Sequence, residues 1–430
     1  MEYNRRSFLG QSGRVAALGA ISSLINPILA QSIAKALQST DHLSAFNLAK
    51  DETFWHQIRQ AYTVSSTFVN LNNGGVSPQP KSVQEAVEFY NRFSNETPTY
   101  FMWRILDLDF KGVKNRLAEI SGCDAEEIVI NRNATEALAT IIFGLQLKKG
   151  DQVVLCKQDY PNMINSWKQR EKRDGIELKW VNLEMPIEDK DFIIRQYTNL
   201  FSEKTKVVHL THMINWNGQI LPVKEIAQIA HSQGIEVIVD GAHSFAQLDY
   251  AIPDLECDYF GASLHKWLSA PFGTGMMYVR KDKIKNLYPL FAPEDLDSDQ
   301  ISKFEAIGTR SQAIEIAIGH AINFHEMIGI ERKHQRLIYL KNYWIDQVKH
   351  HEKIQIHCSQ NPDFGGAIGL FSIKNMDPQA IHKKLHSDYR IHTVPIKHEN
   401  IQGVRITPNV YTLIRELDLL VKAILEIADM

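Results

Sequence analysis

Asp240 and Lys266 are the residues whose types and spacing could carry chemistry. Asp240 closes the apolar run 235–239, and Lys266 lies 26 positions on, just after a second apolar run, 259–263. Strands that end together in a parallel sheet bring such residues to one edge. A carboxylate there can keep the nitrogen of a heteroaromatic ring protonated, so that the ring draws electrons. An amine there can form an imine with an aldehyde. Partial burial would lower the amine's proton affinity and make it nucleophilic. His265 and Trp267 flank Lys266, and the turn-rich run Ala270-Pro271-Phe272-Gly273-Thr274-Gly275 follows. A lone lysine is ordinarily a solvated surface group and a strand-end aspartate a cap. The two in this order and spacing outweigh either bland reading.

A third element could bind an anion. Asn133-Ala134-Thr135-Glu136-Ala137-Leu138 reads as a strand end, a cap and a helix start. Its first N–H groups and the Thr135 hydroxyl suit a phosphate, although the same residues serve equally as an ordinary cap.

Alternating runs of strand and helix type must position these residues. Apolar runs at 153–156, 176–181, 207–210, 235–239, 259–263 and 276–279 read as strands, and 222–231 has a helical period closed by Gly234. The pattern predicts an α/β fold with a mostly parallel sheet sandwiched by helices. From about Gly308 the strands thin out, and 311–337 reads as one long helix leading into a smaller C-terminal α+β unit. The expected division is a signal segment at 1–36, an N-terminal segment at 37–75, a large domain at 76–305 and a small domain at 306–430.

Composition narrows the function. The chain has 430 residues and a formal net charge of -3, with no basic stripe interleaved with aromatics, so no nucleic-acid partner is expected. Cys123, Cys156, Cys257 and Cys358 are scattered singly without metal-ligand spacing, so no metal site is expected. A nicotinamide-dependent dehydrogenase would need G-x-G-x-x-G after an early strand, and Gly273-Thr274-Gly275 comes too late. Asn4-Arg5-Arg6-Ser7-Phe8-Leu9-Gly10, followed by a weakly hydrophobic stretch from Val15 to Ala30, looks like a twin-arginine export signal. The alternative is an amphipathic helix with a chance arginine pair. The expected location is periplasmic, reached through the twin-arginine machinery, with no integral membrane span.

Four segments occur in order: Asn-Ala-Thr-Glu-Ala (133–137), Asp-Gly-Ala-His (240–243), Ser-Leu-His-Lys-Trp-Leu (263–268) and Gly-Thr-Arg (308–310). Together they resemble the class V aminotransferase superfamily of fold-type I pyridoxal-5′-phosphate (PLP) enzymes, in particular its isopenicillin N epimerase-like branch. The resemblance runs from about Val69 to the C-terminus. It implies a seven-stranded-type sheet, PLP as cofactor and a homodimer. It also implies that Lys266 holds PLP and shuttles the proton at the substrate α-carbon, that Asp240 pairs with the pyridine nitrogen and that His243 lies close to the ring. Ala134, Thr135, Ser263 and His265 would bind the phosphate, with Thr309 reaching over from a second subunit. Tyr160 would stack on the ring, where the bland reading is a core or turn aromatic, and Asn215 would bond the phenolic oxygen. Arg405, in Val404-Arg405-Ile406-Thr407-Pro408-Asn409-Val410-Tyr411, matches the segment that holds a substrate carboxylate, which a guanidinium fork suits. Asn73, in Asn72-Asn73-Gly74-Gly75, matches a segment that approaches the substrate. Tyr100, Phe101 and Trp103 read as a substrate-facing wall or as core.

The superfamily includes transaminases, epimerases and cysteine desulfurases. Desulfurases need a nucleophilic cysteine shortly before the carboxylate arginine, and 387–402 contains none. The expected activity is aminotransferase-type chemistry on an amino acid or short peptide-like amine bearing a carboxylate, with epimerase or racemase activity as the alternative. A PLP-dependent lyase and a non-catalytic binding protein rank lower, the latter because Lys266 and Asp240 are both retained.

Overall fold

The computed structural model describes residues 27–430, with side chains from residue 31 onward, so the Arg5-Arg6 pair lies outside the described residues. Helix Pro27–Ser39 runs through the expected boundary at 36/37, and its Ile33 is fully buried. No described helix is long and apolar enough to cross a membrane.

A short strand, β1 (Val69–Asn70), comes first. Seven strands then form the main sheet: β2 (Ile128–Asn131), β3 (Gln152–Cys156), β4 (Glu177–Val181), β5 (Thr205–Thr211), β6 (Glu236–Asp240), β7 (Tyr259–Ser263) and β8 (Gly275–Val279). Their order is β2-β8-β7-β6-β5-β3-β4, and β8 alone runs against its neighbours. All residues of β3, β7 and β8 are buried, as a sheet covered on both faces requires. Side chains alternate between two cores. Val154, Cys156, Val208 and Val239 enter one, against Val223, Ile226 and Ala230 of helix Val223–Ser232. Val153, Leu155, Val207 and Ile238 enter the other, against Leu138 and Ile141 of helix Ala134–Gly144 and Trp167 of helix Pro161–Asp174. The result is a three-layer α/β sandwich.

A second, antiparallel sheet of β9 (Ile354–Ile356), β10 (Gly369–Ile373), β12 (Val394–His398) and β13 (Ile401–Ile406) has the order β12-β13-β10-β9. Leu340, Trp344 and Ile345 of helix Ile330–Val348 and Leu420 and Ile424 of helix Ile414–Asp429 pack on it. Between the sheets, β1 pairs in parallel with β11 (Ile391–His392), which carries residues 70–74 to the end of β13.

The expected helix over 311–337 is a correction. Three helices, Gln312–Ile316, Ile318–Ile328 and Ile330–Val348, fill that region and run beyond it. Gly329 takes φ +88, which breaks the hydrogen-bond ladder and lets the last helix leave at a new angle.

Candidate active site

The carboxyl ends of β5, β6 and β7, with the turn after β7, assemble a cluster of buried polar groups. Asp240 ends β6, is 4% exposed, and accepts a hydrogen bond from the Ala242 amide at 2.9 Å. Burial raises its pKa, opposed by the Ala242 bond and the Lys266 charge. Lys266 sits on the turn after β7, partly buried, with Nζ 3.0 Å from His243 Nε2. Burial brings this amine down to about 8, with Asp240 pulling it up and Arg405 pushing it further down. His243 is buried, and burial together with the Lys266 and Arg405 charges holds it neutral. Lys266 therefore lies within electrostatic reach of Asp240, His243 and Arg405.

Across the edge, the helix Ala134–Gly144 begins beside the end of β7. Asn133 caps it by accepting from the Glu136 amide at 2.9 Å, and Ser263 Oγ accepts from the Ala134 amide at 3.0 Å. The Thr135 amide and hydroxyl have no protein partner among the described residues, which leaves two donors at a helix N-terminus for an anion. Gly275 makes this closeness possible, because a Cβ there would stand 2.5 Å from Asn133 Cα. His265 Nδ1 donates to the Thr274 carbonyl at 2.9 Å, leaving Nε2 without a partner among the described residues. To bond a phosphate that nitrogen must be protonated, a state that an adjacent dianion favours.

Arg405, on β13, is 7% exposed. Its guanidinium donates to the Asn215 carbonyl at 2.8 Å and to Asn72 Oδ1 at 3.0 Å, while Nε has no partner. No carboxylate pairs with it among the described residues. Burial lowers it to about 10, offset by the Tyr160 phenol, whose field reaches it. Tyr160 precedes helix Pro161–Asp174 and is 39% exposed. Asn215 is buried with Oδ1 unbonded.

Asn73 is corrected by the structure. It is fully buried, and its side chain bonds to the Asn70 and Thr407 carbonyls, the Asn70 amide and the Tyr411 hydroxyl. No donor or acceptor remains for a substrate, and the neighbouring Asn72 faces Arg405 instead. Thr309 stands apart, exposed on the loop before helix Gln312–Ile316. Of the aromatic wall, Phe101 packs on Phe93 at 4.2 Å between centroids, whereas Tyr100 and Trp103 are about half exposed.

Two further residues escaped the sequence reading. Asp159 is fully buried behind Tyr160, accepting from the Thr211 hydroxyl at 2.7 Å and the Cys156 amide at 2.8 Å. Burial raises it to about 7. Trp267 Nε1 donates to His243 Nδ1 at 3.4 Å. The signal for both was position, each adjoining a residue already singled out.

The arrangement fits PLP on its own chemistry. A buried carboxylate and a buried guanidinium with no ion-pair partner among the described residues, an unbonded Asn215 Oδ1 and two free donors at a helix N-terminus accompany one lowered amine. A cofactor with a ring N–H, a phosphate and an aldehyde, and a substrate with a carboxylate, would satisfy them.

Comparison with known proteins agrees. The family described as Aminotransferase class-V matches residues 69–394, well over half of the chain. A probable cysteine desulfurase of Halalkalibacterium halodurans is 28% identical over 77% of this chain and 86% of its own length. An isopenicillin N epimerase of Streptomyces clavuligerus is 24% identical over 86% of this chain and 97% of its own. Among solved structures, a complex of the cystine C–S lyase C-DES with cysteine persulfide has a TM-score of 0.77 at 22% identity, covering 85% of this chain and 98% of that one. The cysteine desulfurase CsdA of Escherichia coli has a TM-score of 0.77 at 18% identity, covering 86% and 98%. These two show the fold. The chain belongs to the class V aminotransferase family, and it is a PLP-dependent enzyme of the fold-type I architecture.

Proposed function

We propose that this enzyme acts at the α-carbon of an amino acid, or of a related amine bearing a carboxylate, as an aminotransferase. The observation that carries the reading is Arg405, a buried guanidinium with no acid partner among the described residues, within electrostatic reach of Lys266. It would fix the substrate carboxylate and so direct the α-carbon to that amine. Bound PLP supplies an electron sink for the charge left at the α-carbon. Asp240 would keep the ring nitrogen protonated, and His243 would help to hold the ring. Thr135, Ser263 and His265 would hold the phosphate, while the Ala134 amide, expected to join them, is committed to Ser263 Oγ. Lys266 takes the proton from the α-carbon and returns it elsewhere, a transfer that needs one base. Thr309, exposed on its loop, would complete the phosphate site of a second copy, which makes the enzyme a homodimer.

Epimerisation is the second reading. It needs a second proton carrier on the face away from Lys266, and the exposed phenol of Tyr160, which acts on Arg405, supports that reading. Relatives matched over nearly their whole length bear the name isopenicillin N epimerase. Desulfurase chemistry is disfavoured by the thiols. Cys156, Cys257 and Cys358 are buried and Cys123 is half-buried, and burial raises the pKa of each, Cys123 to about 12. None is a thiolate near neutrality.

Absorbance of the purified protein, with and without an amino-acid panel, tests the reading. Wild type shows a visible band of lysine-bound cofactor, and Lys266→Ala lacks it. Loss of the band with release of a keto acid supports transamination. Exchange of the α-proton without keto acid supports epimerisation instead. No band after reconstitution with PLP overturns both. The Arg5-Arg6 motif supports export to the periplasm as a folded protein, and changing both arginines to lysine should hold the protein in the cytoplasm on fractionation.

A further inference from the structure

Trp267 is one of the largest fully buried side chains, and its indole N–H and its carbonyl are both engaged. Its indole N–H can only donate. It points at His243 Nδ1 at 3.4 Å, so that nitrogen must present a lone pair. The imidazole is neutral, because burial, joined by the nearby Arg405 charge, opposes a proton there. Its single proton therefore belongs on Nε2, which stands 3.0 Å from Lys266 Nζ. A hydrogen on Nε2 needs an acceptor, and among the described residues the free amine of Lys266 provides it. The other tautomer would set two N–H groups against each other at Nδ1.

The backbone of Trp267 is held as firmly. Its carbonyl accepts from Lys333 Nζ, and His325 Nδ1 is 3.4 Å from the same nitrogen. Lys333 is 5% exposed and His325 8%, and no carboxylate pairs with Lys333 among the described residues. A buried amine without a counter-charge is unfavourable unless hydrogen-bonded. Burial alone brings Lys333 to about 7. The turn it grips is irregular. The Ser269 amide bonds to the Lys266 carbonyl at 3.1 Å, the Ala270 amide bonds to the Leu264 carbonyl at 3.0 Å, and Ser269 has φ +58. Without Lys333 the Trp267 carbonyl would face an apolar interior unpaired. The charged or titratable groups that face Lys266 itself are Asp240, Arg405, His243 and His265.

We propose that Trp267, clamped at its carbonyl by Lys333, fixes the tautomer of His243 and thereby presents Lys266 as a hydrogen-bond-accepting free amine. Trp267 and Lys333 are positioning residues, acting through His243 and the turn. The inference rests on Lys266 as the reacting amine, and its test is read on the cofactor-free chain. Failure of the tautomer argument is thus separable from failure to bind PLP.

The experiment follows acetylation of Lys266 by acetic anhydride from pH 6 to 11, quantified by mass spectrometry on the full chain after removal of cofactor. The variants are Trp267→Phe, which keeps the ring and loses the N–H, and Lys333→Met, which keeps the length and loses the amine. In wild type the midpoint falls near pH 8. Both substitutions let His243 turn its lone pair towards Lys266, so the midpoint rises by about one unit and the free amine at neutral pH falls about tenfold. A merely structural role would lower the melting temperature and leave the midpoint in place. An unmoved midpoint in folded Trp267→Phe overturns the proposal, and that variant decides the matter alone if Lys333→Met does not fold.

Discussion

Replacing Arg405 tests how the site reads a carboxylate. A guanidinium carries five N–H donors, and here one is spent on the Asn215 carbonyl and one on Asn72. Enough remain for a two-pronged grip on a carboxylate. Each charge-assisted bond contributes about 1.5–3 kcal/mol. Arg405→Lys keeps the charge but offers one bond in place of two, a loss of about 2 kcal/mol, or roughly 30-fold in kcat/KM. Arg405→Met leaves the substrate carboxylate unpaired and should lose about 4 kcal/mol, approaching a thousandfold. The assay compares an amino acid that bleaches the visible band with the corresponding amine lacking the carboxylate. Both variants should lose rate on the amino acid and little on the amine. Equal losses on the two substrates would make Arg405 a packing residue, and no loss on either would remove it from the site.

Two further predictions concern buried groups around the site. Asp159 is raised to about 7 from an ordinary 3.8, so between roughly pH 4 and 7 the folded state binds more protons than the unfolded state. Stability should therefore fall as pH rises through that window, by up to about 1.4 kcal/mol per unit. Asp159→Asn should flatten the slope in denaturant titrations, and an unchanged slope would refute the assignment. Gly275→Ala puts a methyl 2.5 Å from Asn133 Cα, against backbone that cannot give way. The expected cost is about 1–3 kcal/mol, with weaker PLP retention as the helix N-terminus shifts. Normal stability and normal PLP titration would show that the close approach is not needed.

Much of this was legible, and the reason is geometric. Strand ends could be read because apolar runs stop where a sheet meets solvent or ligand, and β7 has the bounds its residue types suggest. Asp240, Lys266 and the capped helix start at Asn133 were found by that rule, since each depends on local sequence. The misreadings share the opposite property. Ile314, Ile318 and Ile322 keep a helical spacing straight through the break at Ala317, so period alone could not show that the helix ends. Asn72 and Asn73 are adjacent and chemically identical. Their roles separate only because Thr407 and Tyr411, more than 300 positions away, claim Asn73. Trp267 and Asp159 went unassigned for the same reason, because Lys333, His243 and Thr211 come from other elements.

What links the legible and illegible parts is charge left uncompensated. Sequence shows that Asp240, Lys266 and Arg405 exist, but only the fold shows that Asp240 and Arg405 are buried with no ion-pair partner among the described residues. Such groups destabilise the empty protein, and a ligand that provides the missing charges should be repaid in stability. PLP should therefore raise the melting temperature of wild type, and should do so less in Asp240→Asn, where no carboxylate awaits the ring nitrogen. A carboxylate-bearing substrate analogue should add a second increment that disappears in Arg405→Met while the PLP increment survives. The two increments are separable because the two charges lie on different sheets, at the end of β6 and on β13. If Arg405→Met abolished the PLP increment as well, the guanidinium would be serving the cofactor rather than the substrate, and the assignment of its anion would have to be reversed.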